Sequence, residues 1–386
     1  MIKSKNNKNR PLILGILGGG QLAKMLSLEA YKMGINISII EKSSKTPAGE
    51  ITQNEFPLGW ENRTEIDEFI KLSDVITLEN EFIDPEILSY IEQKREVFPS
   101  SKTISLIQDK FTQKETFSSA QIPLPNYSEI NSAKEAGIFA EKNSFPIVIK
   151  TRKYGYDGYG NFTAKNNDDI KKAFKKFHKG EIRPLLAESF VDFDCELAVM
   201  VARSSLGEEM TYECVETIQQ NHICHKVIAP ARVPENIRKK AQEIALKCVR
   251  TIGGVGVFGV ELFLTKAGEL LVNEIAPRPH NSGHYTIEAC VTSQYENAIR
   301  AVLGLPLGSI EMIKPCAVMI NLLGQKEGDG VPENITKMLA HKNVKLHLYN
   351  KKSSRIGRKM GHITLIGDDL NDVMKEIDSA YESLVW

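Results

Sequence analysis

Two glutamates are the residues of this sequence most suited by type and spacing to bind a metal ion. They lie in the apolar, strand-like runs FGVELFL and ELLVNEI, which flank Ala267-Gly268, a pair typical of a two-residue hairpin turn. Counting outward from that turn brings Glu261 opposite Glu274, with their β-carbons about 5 Å apart. Two carboxylates so close repel each other unless a cation neutralises them, and Mg²⁺ is commonly held by two carboxylates and phosphate oxygens. The pattern predicts a metal–nucleotide site, with an exposed hairpin of solvated glutamates as the alternative.

A polar loop follows the second strand and favours the site over the exposed hairpin. It places Arg278, His280 and their neighbours NSGH just past a strand end, where loops commonly carry function.

Near the amino terminus, a glycine turn joins an apolar strand to a helix that is predicted from Gln21 to Met33. The pattern Gly15-x-x-Gly18-Gly19-Gly20, with Glu41 ending the next strand, approximates a dinucleotide fingerprint. Because a helix amino terminus attracts any anion, a substrate phosphate or carboxylate is the preferred interpretation. NAD binding and a purely structural βα turn remain alternatives.

A second glycine-rich loop, KTRKYGYDGYG, starts at Lys150 at the end of the strand FPIVIK. Such a basic loop can fold over a polyphosphate, although it lacks the Walker A pattern, and an exposed β-turn is the alternative. Further on, Glu188 and Glu196 flank an apolar pair that ends at Val191. This cluster predicts an adenine slot with Glu196 near the ribose, or else a buried strand with one solvated edge.

Composition narrows the class of protein. The 386 residues are 42% hydrophobic and 25% charged, and 49 basic residues balance 49 acidic ones. This is the composition of a globular protein of two or three domains, without a field that would attract nucleic acid or a membrane. Six cysteines occur singly, without C-x-x-C spacing, so we expect no zinc site, no disulfides and a cytoplasmic location. Residues 1–10 are expected to be a flexible tail.

The periodicity predicts three units along the chain. Residues 11–112 alternate strands and helices, a pattern typical of a small open parallel sheet. This first unit ends within a helix that is predicted over residues 101–120. Residues 113–305 mix hairpins and helices as an α+β unit. After a Gly/Pro-rich connection, residues 306–386 read as a small strand-rich module closed by a helix.

Eight segments in this order resemble the ATP-grasp superfamily, and within it the purine-pathway ligases, over nearly the whole chain. They are GGGQLAKM, TLENE, QDK, KTRKYGYDGYG, AESFVDFDCELAV, VIAPA, NEIAPRPHNSGH and GRKMGH. The resemblance implies an α/β preATP-grasp domain, a two-lobed ATP-grasp domain and a carboxy-terminal module. It also implies a homodimer that uses ATP and Mg²⁺ to join bicarbonate to the amine of 5-aminoimidazole ribonucleotide, in purine biosynthesis.

The resemblance also implies a role for individual residues. Lys110 and Lys150 would contact the ATP phosphates, Glu188 and the backbone near Val191 the adenine, and Glu196 the ribose. Glu261 and Glu274 would hold Mg²⁺. Asn273 would add a nucleotide contact but cannot replace the asparagine metal ligand of other ATP-grasp members, because alternation puts it on the opposite face from Glu274. The residues matched to the ribonucleotide are Tyr156 and Asp157 near the imidazole, Arg278 and His280 near the reacting centre, Lys351, Arg358 and Lys359 on the 5′-phosphate, and Gln21 and Glu79 as further contacts.

The chain departs from the family pattern at Tyr154, Ala23 and Ile356, which affects loop geometry rather than the class of reaction. Three rival functions stay open at this point. They are another ATP-grasp ligase, such as a formate-using transformylase or a biotin-dependent carboxylase; a nicotinamide-dependent dehydrogenase; and a nucleotide-binding regulator without turnover.

Overall fold

The computed structural model describes residues 10–153, 155, 160–178 and 183–384. Its helices are α1 Gln21–Lys32, α2 Arg63–Leu72, α3 Pro85–Glu92, α4 Ser101–Ile107, α5 Lys110–Ser119, α6 Ala133–Asn143, α7 Asn167–Phe177, α8 Glu235–Thr251, α9 Thr286–Ala289, α10 Gln294–Leu303, α11 Ile335–Leu339 and α12 Leu370–Glu382. Its strands are β1 Ile13–Leu17, β2 Asn36–Ile40, β3 Glu55–Phe56, β4 Val75–Leu78, β5 Glu96–Phe98, β6 Tyr127–Ile130, β7 Ile147–Thr151, β8 Asn161–Ala164, β9 Leu185–Ser189, β10 Phe193–Arg203, β11 Glu209–Thr211, β12 Val215–Gln220, β13 Ile223–Ala229, β14 Gly256–Thr265, β15 Leu270–Ala276, β16 Cys316–Leu323, β17 Gly328–Asp329, β18 Lys345–Leu348, β19 Ser353–Ser354 and β20 Lys359–Gly367.

The amino-terminal strands form the predicted open parallel sheet, in the order β3-β2-β1-β4-β5. Strands β1 and β4 are buried throughout, as expected for apolar strands covered on both faces. The chain leaves β1 toward β2 on one side, while β4 lies on the other. The glycine turn after β1 therefore lies at the switch point of the sheet, where α/β proteins commonly bind ligands.

Two antiparallel sheets form the rest of the chain. The smaller has the order β6-β9-β7-β8, and the larger runs β15-β14-β10-β12-β13-β16-β20-β18, with β11 added beside β10. Strand β13 pairs with β16 from Lys226 opposite Ile320 to Ala229 opposite Ala317. The carboxy-terminal strands therefore extend the central sheet, a continuity that the sequence did not predict, and α12 closes them as expected.

One hydrophobic core joins the amino-terminal domain to the central sheet. It contains side chains of β1, β2 and α1 together with side chains of β10, β14 and α10. A separate core fills the four-stranded sheet and its two helices, α6 and α7. The smaller sheet is therefore a lobe with its own core.

Two local predictions are wrong. The helix expected over residues 101–120 is two helices, because the Asp109 side chain accepts hydrogen bonds from two N–H groups of the next turn and so begins α5. Arg10, placed in the flexible tail, is fixed by a two-point ion pair with Asp74 at 2.8 and 3.1 Å. The other residues of that tail lie outside the described part of the chain.

All six cysteines are free thiols in the structure. Among the described residues, no helix is both long and apolar enough to cross a membrane.

Candidate active site

Glu261 and Glu274 lie opposite one another on β14 and β15, which confirms the predicted pairing. The loop between the strands is nevertheless three residues long rather than two. The N–H of Thr265 bonds the carbonyl of Glu269 at 2.9 Å, and Gly268 closes the loop with φ +81°, as is usual for a three-residue hairpin loop. This longer loop shifts the pairing of β14 with β15 by one residue from the predicted register. An irregularity further along β15 shifts the pairing back.

That irregularity is a bulge at Asn273, beside the pair Glu261–Glu274. The prediction that Asn273 faces away from Glu274 is wrong, because the extra residue of a bulge breaks the alternation of the strand. Its Oδ1 accepts a hydrogen bond from Lys150 Nζ at 3.2 Å, and its Nδ2 donates to Glu261 Oε2 at 3.4 Å. The bulge therefore adds an amide to the carboxylate cluster.

Lys110 completes this side of the cluster. It is the first residue of α5, and from there its ammonium group forms an ion pair with Glu274. Burial alone would raise the pKa of Glu274, but Lys110 holds that pKa well below its usual range. Burial and the charge of Glu274 raise the pKa of Glu261. The pKa values of the two carboxylates are thus shifted in opposite directions. A cation bound between them would relieve their mutual repulsion.

A buried ion-pair network lies on the other side of Asn273. Lys150 on β7 pairs with Glu188 on β9 at 3.0 Å, and the second oxygen of Glu188 lies 3.3 Å from Nζ of Lys114. Burial lowers the pKa of Lys114 to about 8. Burial would raise the pKa of Glu188, but the two lysines lower it.

Sequence reasoning missed Lys114, although a signal was available. Lys110 and Lys114 are four residues apart, a spacing that puts both on one face of a helix. The side chain of Lys114 is only 2% exposed, and its Nζ also donates to the backbone carbonyl of Asn273 at 3.4 Å. Lys114 therefore links the smaller sheet to the bulge in the larger one.

The predicted nucleoside contacts lie between β9 and β10. Val191 is in the connecting segment beside Phe190, whose side chain is among the exposed aromatics. Glu196 on β10 accepts a hydrogen bond from Gln219 Nε2 at 2.7 Å, and burial raises its pKa. An apolar surface beside a carboxylate suits a purine nucleoside.

The loop after β15 reaches both the hairpin and the amino-terminal sheet. Arg278 forms a two-point ion pair with Glu81, at 2.6 and 3.0 Å, and Glu81 is a second residue that sequence reasoning missed. His280 Nε2 lies 3.5 Å from Glu261 Oε1. Gly259 on β14 allows this approach, because a Cβ there would collide with the His280 side chain. The structure thus brings the predicted His280 next to the carboxylate pair, while the predicted Arg278 is held in the same loop by Glu81.

The glycine turn after β1 binds carboxylates of the chain itself. Glu79 accepts the N–H of Gly20 and, at 2.8 Å, the N–H of Ala23, while Glu41 accepts the N–H of Gly19 at 3.2 Å. Burial raises the pKa of Glu79. These three N–H groups therefore bind carboxylates of the chain itself, which disagrees with the expectation that they bind an anion of a substrate or a dinucleotide pyrophosphate.

The carboxy-terminal module borders α1, the helix that begins at the predicted Gln21. Nζ of Lys24 on this helix donates to the carbonyl of Leu348, at the end of β18, at 3.0 Å. Gln21 therefore lies on the helix that joins the amino-terminal domain to the carboxy-terminal module.

The three basic residues predicted to bind phosphate all lie in this module, and each is half-buried. Lys359 begins β20, and its charge opposes the rise in the pKa of Glu261. Nη1 of Arg358 donates to the carbonyl of Ser353 at 2.8 Å. Nζ of Lys351 lies 5.7 Å from the centre of a tyrosine ring. Of the three, Lys359 is the residue whose charge lowers the pKa of Glu261.

Tyr156 and Asp157, in the second glycine loop, lie outside the described residues. The start of that loop is fixed next to Lys110. The guanidinium of Arg152 binds Asp109 at 2.9 and 3.0 Å, and the Arg152 carbonyl accepts the N–H of Lys110 at 2.8 Å.

These residues fit a magnesium nucleotide. Within the described ranges, no group of three or more His, Cys, Asp or Glu side chains could enclose a metal ion. Glu261 and Glu274 would supply two ligands and leave the others to phosphate oxygens and water, as Mg²⁺ prefers. The lysines nearby would neutralise the phosphates, so this arrangement can stabilise charge on a transferring phosphoryl group.

Comparison with protein families matches three domains along the chain. Residues 12–108 match the ribonucleotide synthetase preATP-grasp domain, residues 115–295 the ATP-grasp domain, and residues 317–376 the phosphoribosylaminoimidazole carboxylase C-terminal domain. These matches confirm the predicted three-part architecture of α/β, α+β and strand-rich units.

Individual relatives are similar over nearly the whole chain. The N5-carboxyaminoimidazole ribonucleotide synthase of Bacillus subtilis is 37% identical, over 96% of this chain and 95% of its own length. The crystal structure of N5-carboxyaminoimidazole ribonucleotide synthetase from Thermotoga maritima is 42% identical, with a TM-score of 0.87, over 97% of this chain and 99% of the other.

A third relative was solved with ligands. The Aspergillus clavatus N5-carboxyaminoimidazole synthase, in complex with ADP and 5-aminoimidazole ribonucleotide, is 34% identical with a TM-score of 0.89, over 96% of this chain and 98% of the other. Fold, site and relatives agree, and the chain belongs to the N5-carboxyaminoimidazole ribonucleotide synthetases, ATP-grasp ligases of purine biosynthesis.

Proposed function

We propose that this protein carboxylates 5-aminoimidazole ribonucleotide with bicarbonate, converting ATP to ADP and phosphate and forming N5-carboxyaminoimidazole ribonucleotide. The observation that carries the proposal is the cluster in which Lys110 and Lys150 contact Glu274 and Asn273, next to Glu261. Two carboxylates with two lysines suit the triphosphate of a magnesium nucleotide.

The first step activates bicarbonate. Bicarbonate is a poor electrophile until one of its oxygens becomes a phosphate leaving group, so its attack on the γ-phosphate yields carboxyphosphate. Lys110 and Lys150 would stabilise the charge that builds up on the transferring phosphoryl oxygens. Glu261 and Glu274 would hold Mg²⁺, which supplies further positive charge to the phosphates.

The nucleoside would lie between the two lobes. Glu188 and the backbone near Val191 would contact the adenine, Glu196 the ribose hydroxyls, and Asn273 the nucleotide. The ion pairs of Glu188 with its two lysines support this assignment, because they hold the carboxylate next to Lys150, a proposed phosphate contact. Asn273, turned into the cluster by its bulge, is positioned beside Lys150.

The ribonucleotide would occupy the other side of the carboxylates. Arg278 and His280 would contact the reacting centre, where carboxylate passes from carboxyphosphate, or from CO₂ released from it, to the exocyclic amine. Glu79 has two main-chain N–H partners and keeps lone pairs that can accept hydroxyl hydrogen bonds. Gln21, like Glu79, is a further proposed contact of the ribonucleotide. The remaining proposed contacts are Tyr156 and Asp157 at the imidazole, and Lys351, Arg358 and Lys359 at the 5′-phosphate.

A cytoplasmic homodimer is the proposed state of the protein. Six free thiols fit a reducing compartment, and the homodimer follows from the family resemblance. Light scattering coupled to size-exclusion chromatography tests the assembly: the mass of a dimer supports it, and the mass of a monomer contradicts it.

The function is tested by phosphate release from Mg-ATP in bicarbonate buffer, with and without 5-aminoimidazole ribonucleotide. Strong stimulation by the ribonucleotide is expected. If stimulation appears only with glycinamide ribonucleotide and formate, the chain is instead a formate-using ligase.

A further inference from the structure

Gln294 is buried beneath the loop that carries Arg278 and His280. It is the first residue of α10, a helix that packs against β14, and its side chain has no solvent exposure. It therefore cannot touch a substrate bound at Glu261 and Glu274.

The side-chain amide of Gln294 binds both backbone polar groups of His280. Its Oε1 accepts the His280 N–H at 2.9 Å, and its Nε2 donates to the His280 carbonyl at 2.8 Å. The same Nε2 lies 3.3 Å from Nδ1 of His284. This is the pattern with which a neighbouring strand would bind the residue, so it fixes the peptide on both sides of His280.

The neighbouring Gly283 leaves space for this contact, and Thr286 adds hydrogen bonds beside it. Gly283 admits the amide, because a Cβ there would collide with Gln294 Oε1. The backbone N–H of Gln294 donates at 2.9 Å to Thr286 Oγ1, which itself donates to the Gly283 carbonyl at 2.7 Å. The loop is thus bound to Gln294, at the start of α10, through His280, His284 and Thr286.

We propose that Gln294 is a positioning residue for the carboxylation step, which holds the His280 backbone so that the ring stays 3.5 Å from Glu261. This inference rests on the proposed roles of Arg278 and His280. A reacting group displaced by about 1 Å can lose about 100-fold in rate. Loss of the two hydrogen bonds should therefore lower turnover, while the ATP contacts at Lys110 and Lys150, on other elements, stay intact.

The chain offers a matched control one turn along α10. Asn297 is equally buried, and its amide binds both backbone groups of Gly308, at 2.8 and 3.1 Å. Gly308 lies in a connection that carries no predicted site residue. The variants Gln294→Met and Asn297→Leu thus remove the same kind of contact from two different loops.

The experiment measures phosphate release and ribonucleotide consumption for both variants and the wild type. For Gln294→Met we expect kcat with the ribonucleotide to fall about 100-fold and the KM for Mg-ATP to stay within about twofold. For Asn297→Leu we expect both constants within about twofold of wild type. Wild-type kcat in a folded Gln294→Met protein, or the same loss in both variants, would overturn the proposal.

A second variant tests the proposal if Gln294→Met does not fold. In Gln294→Glu, a carboxylic acid can donate and accept, whereas a carboxylate can only accept. The activity of this variant relative to wild type should therefore rise as the pH falls from 8 to 6, and a pH-independent ratio would overturn the proposal. A wild type without ribonucleotide-dependent turnover would refute the proposed function itself, so the two failures are distinguishable.

Discussion

Two buried histidines should make the folded state lose stability as the pH falls below 6.5. His284 and His362 are 1% and 0% exposed, and their ring centres are 4.7 Å apart. Burial lowers the pKa of both far below the usual value, and the charges of Lys359 and His347 add to the effect. Arg278 and His280 also face His284.

The sign follows from proton linkage. The folded pKa of each ring is depressed, so below pH 6.5 the unfolded chain binds protons that the folded chain does not. The contribution of these two rings to the free energy of unfolding is therefore fully present above pH 6.5 and is lost as the pH falls below it. Each ring contributes about 1.4 kcal/mol per pH unit, so the pair should cost about 3 kcal/mol between pH 7.5 and 5.5. At about 2.1 cal/mol/K of unfolding entropy per residue, this lowers the melting temperature of the 386-residue chain by roughly 4 °C.

The assay compares thermal and urea unfolding at both pH values for wild type and the double variant His284→Asn/His362→Asn. Asn is chosen because its Oδ1 can replace Nδ1, which lies 3.0 Å from the Tyr295 hydroxyl in His284 and 2.9 Å from that of Tyr349 in His362. Because other groups titrate too, the result is the difference in pH dependence between the two proteins. We expect the double variant to lose about 3 kcal/mol less than wild type.

The control is His222→Asn, which replaces an exposed histidine whose φ of +63° asparagine tolerates. It should keep the pH dependence of wild type. Equal pH dependence of wild type and the double variant would refute the argument, because it would mean that the buried rings take up protons in the folded state.

Three further predictions concern the nucleotide and acceptor sites. Glu274→Ala should lower phosphate release at least about 1000-fold with wild-type circular dichroism, and wild-type turnover would contradict the metal assignment. Lys114→Met should raise the KM for Mg-ATP about tenfold, because Glu188 then draws Lys150 more strongly; an unchanged KM in the phosphate-release assay would show that Lys114 plays no part. Glu81→Gln should raise the KM for the ribonucleotide about tenfold by loosening Arg278 and leave that for Mg-ATP unchanged, and equal changes in both constants would argue against it.

The sequence predicted the order of the elements and the pairing of Glu261 with Glu274 better than the local geometry around them. Apolar runs and turn residues placed the parallel sheet and the Glu261–Glu274 pair. The pairing was correct although the turn was not, because a three-residue loop and the bulge at Asn273 shift the register in opposite directions. A bulge depends on contacts made in three dimensions, so periodicity could not reveal it.

Several of the errors share one physical cause, which is that a group can bind a partner far away along the chain. Glycine amides at a helix amino terminus predict an anion, but the sequence does not show that the anion is Glu79 of the same protein. The roles of Lys114 and Glu81 depend on partners 74 and 197 positions away. The continuity of β13 with β16 likewise joins segments that the sequence reads as separate units.

The most direct test of the central claim follows oxygen from bicarbonate into phosphate. The enzyme is mixed with Mg-ATP, 5-aminoimidazole ribonucleotide and freshly dissolved ¹⁸O-labelled bicarbonate, and the phosphate released is analysed by mass spectrometry. If carboxyphosphate forms, as proposed, by attack of a bicarbonate oxygen on the γ-phosphate, each phosphate released should carry one ¹⁸O atom from bicarbonate. Unlabelled phosphate, released while the ribonucleotide is consumed, would show that bicarbonate is not activated in this way and would refute the proposed first step.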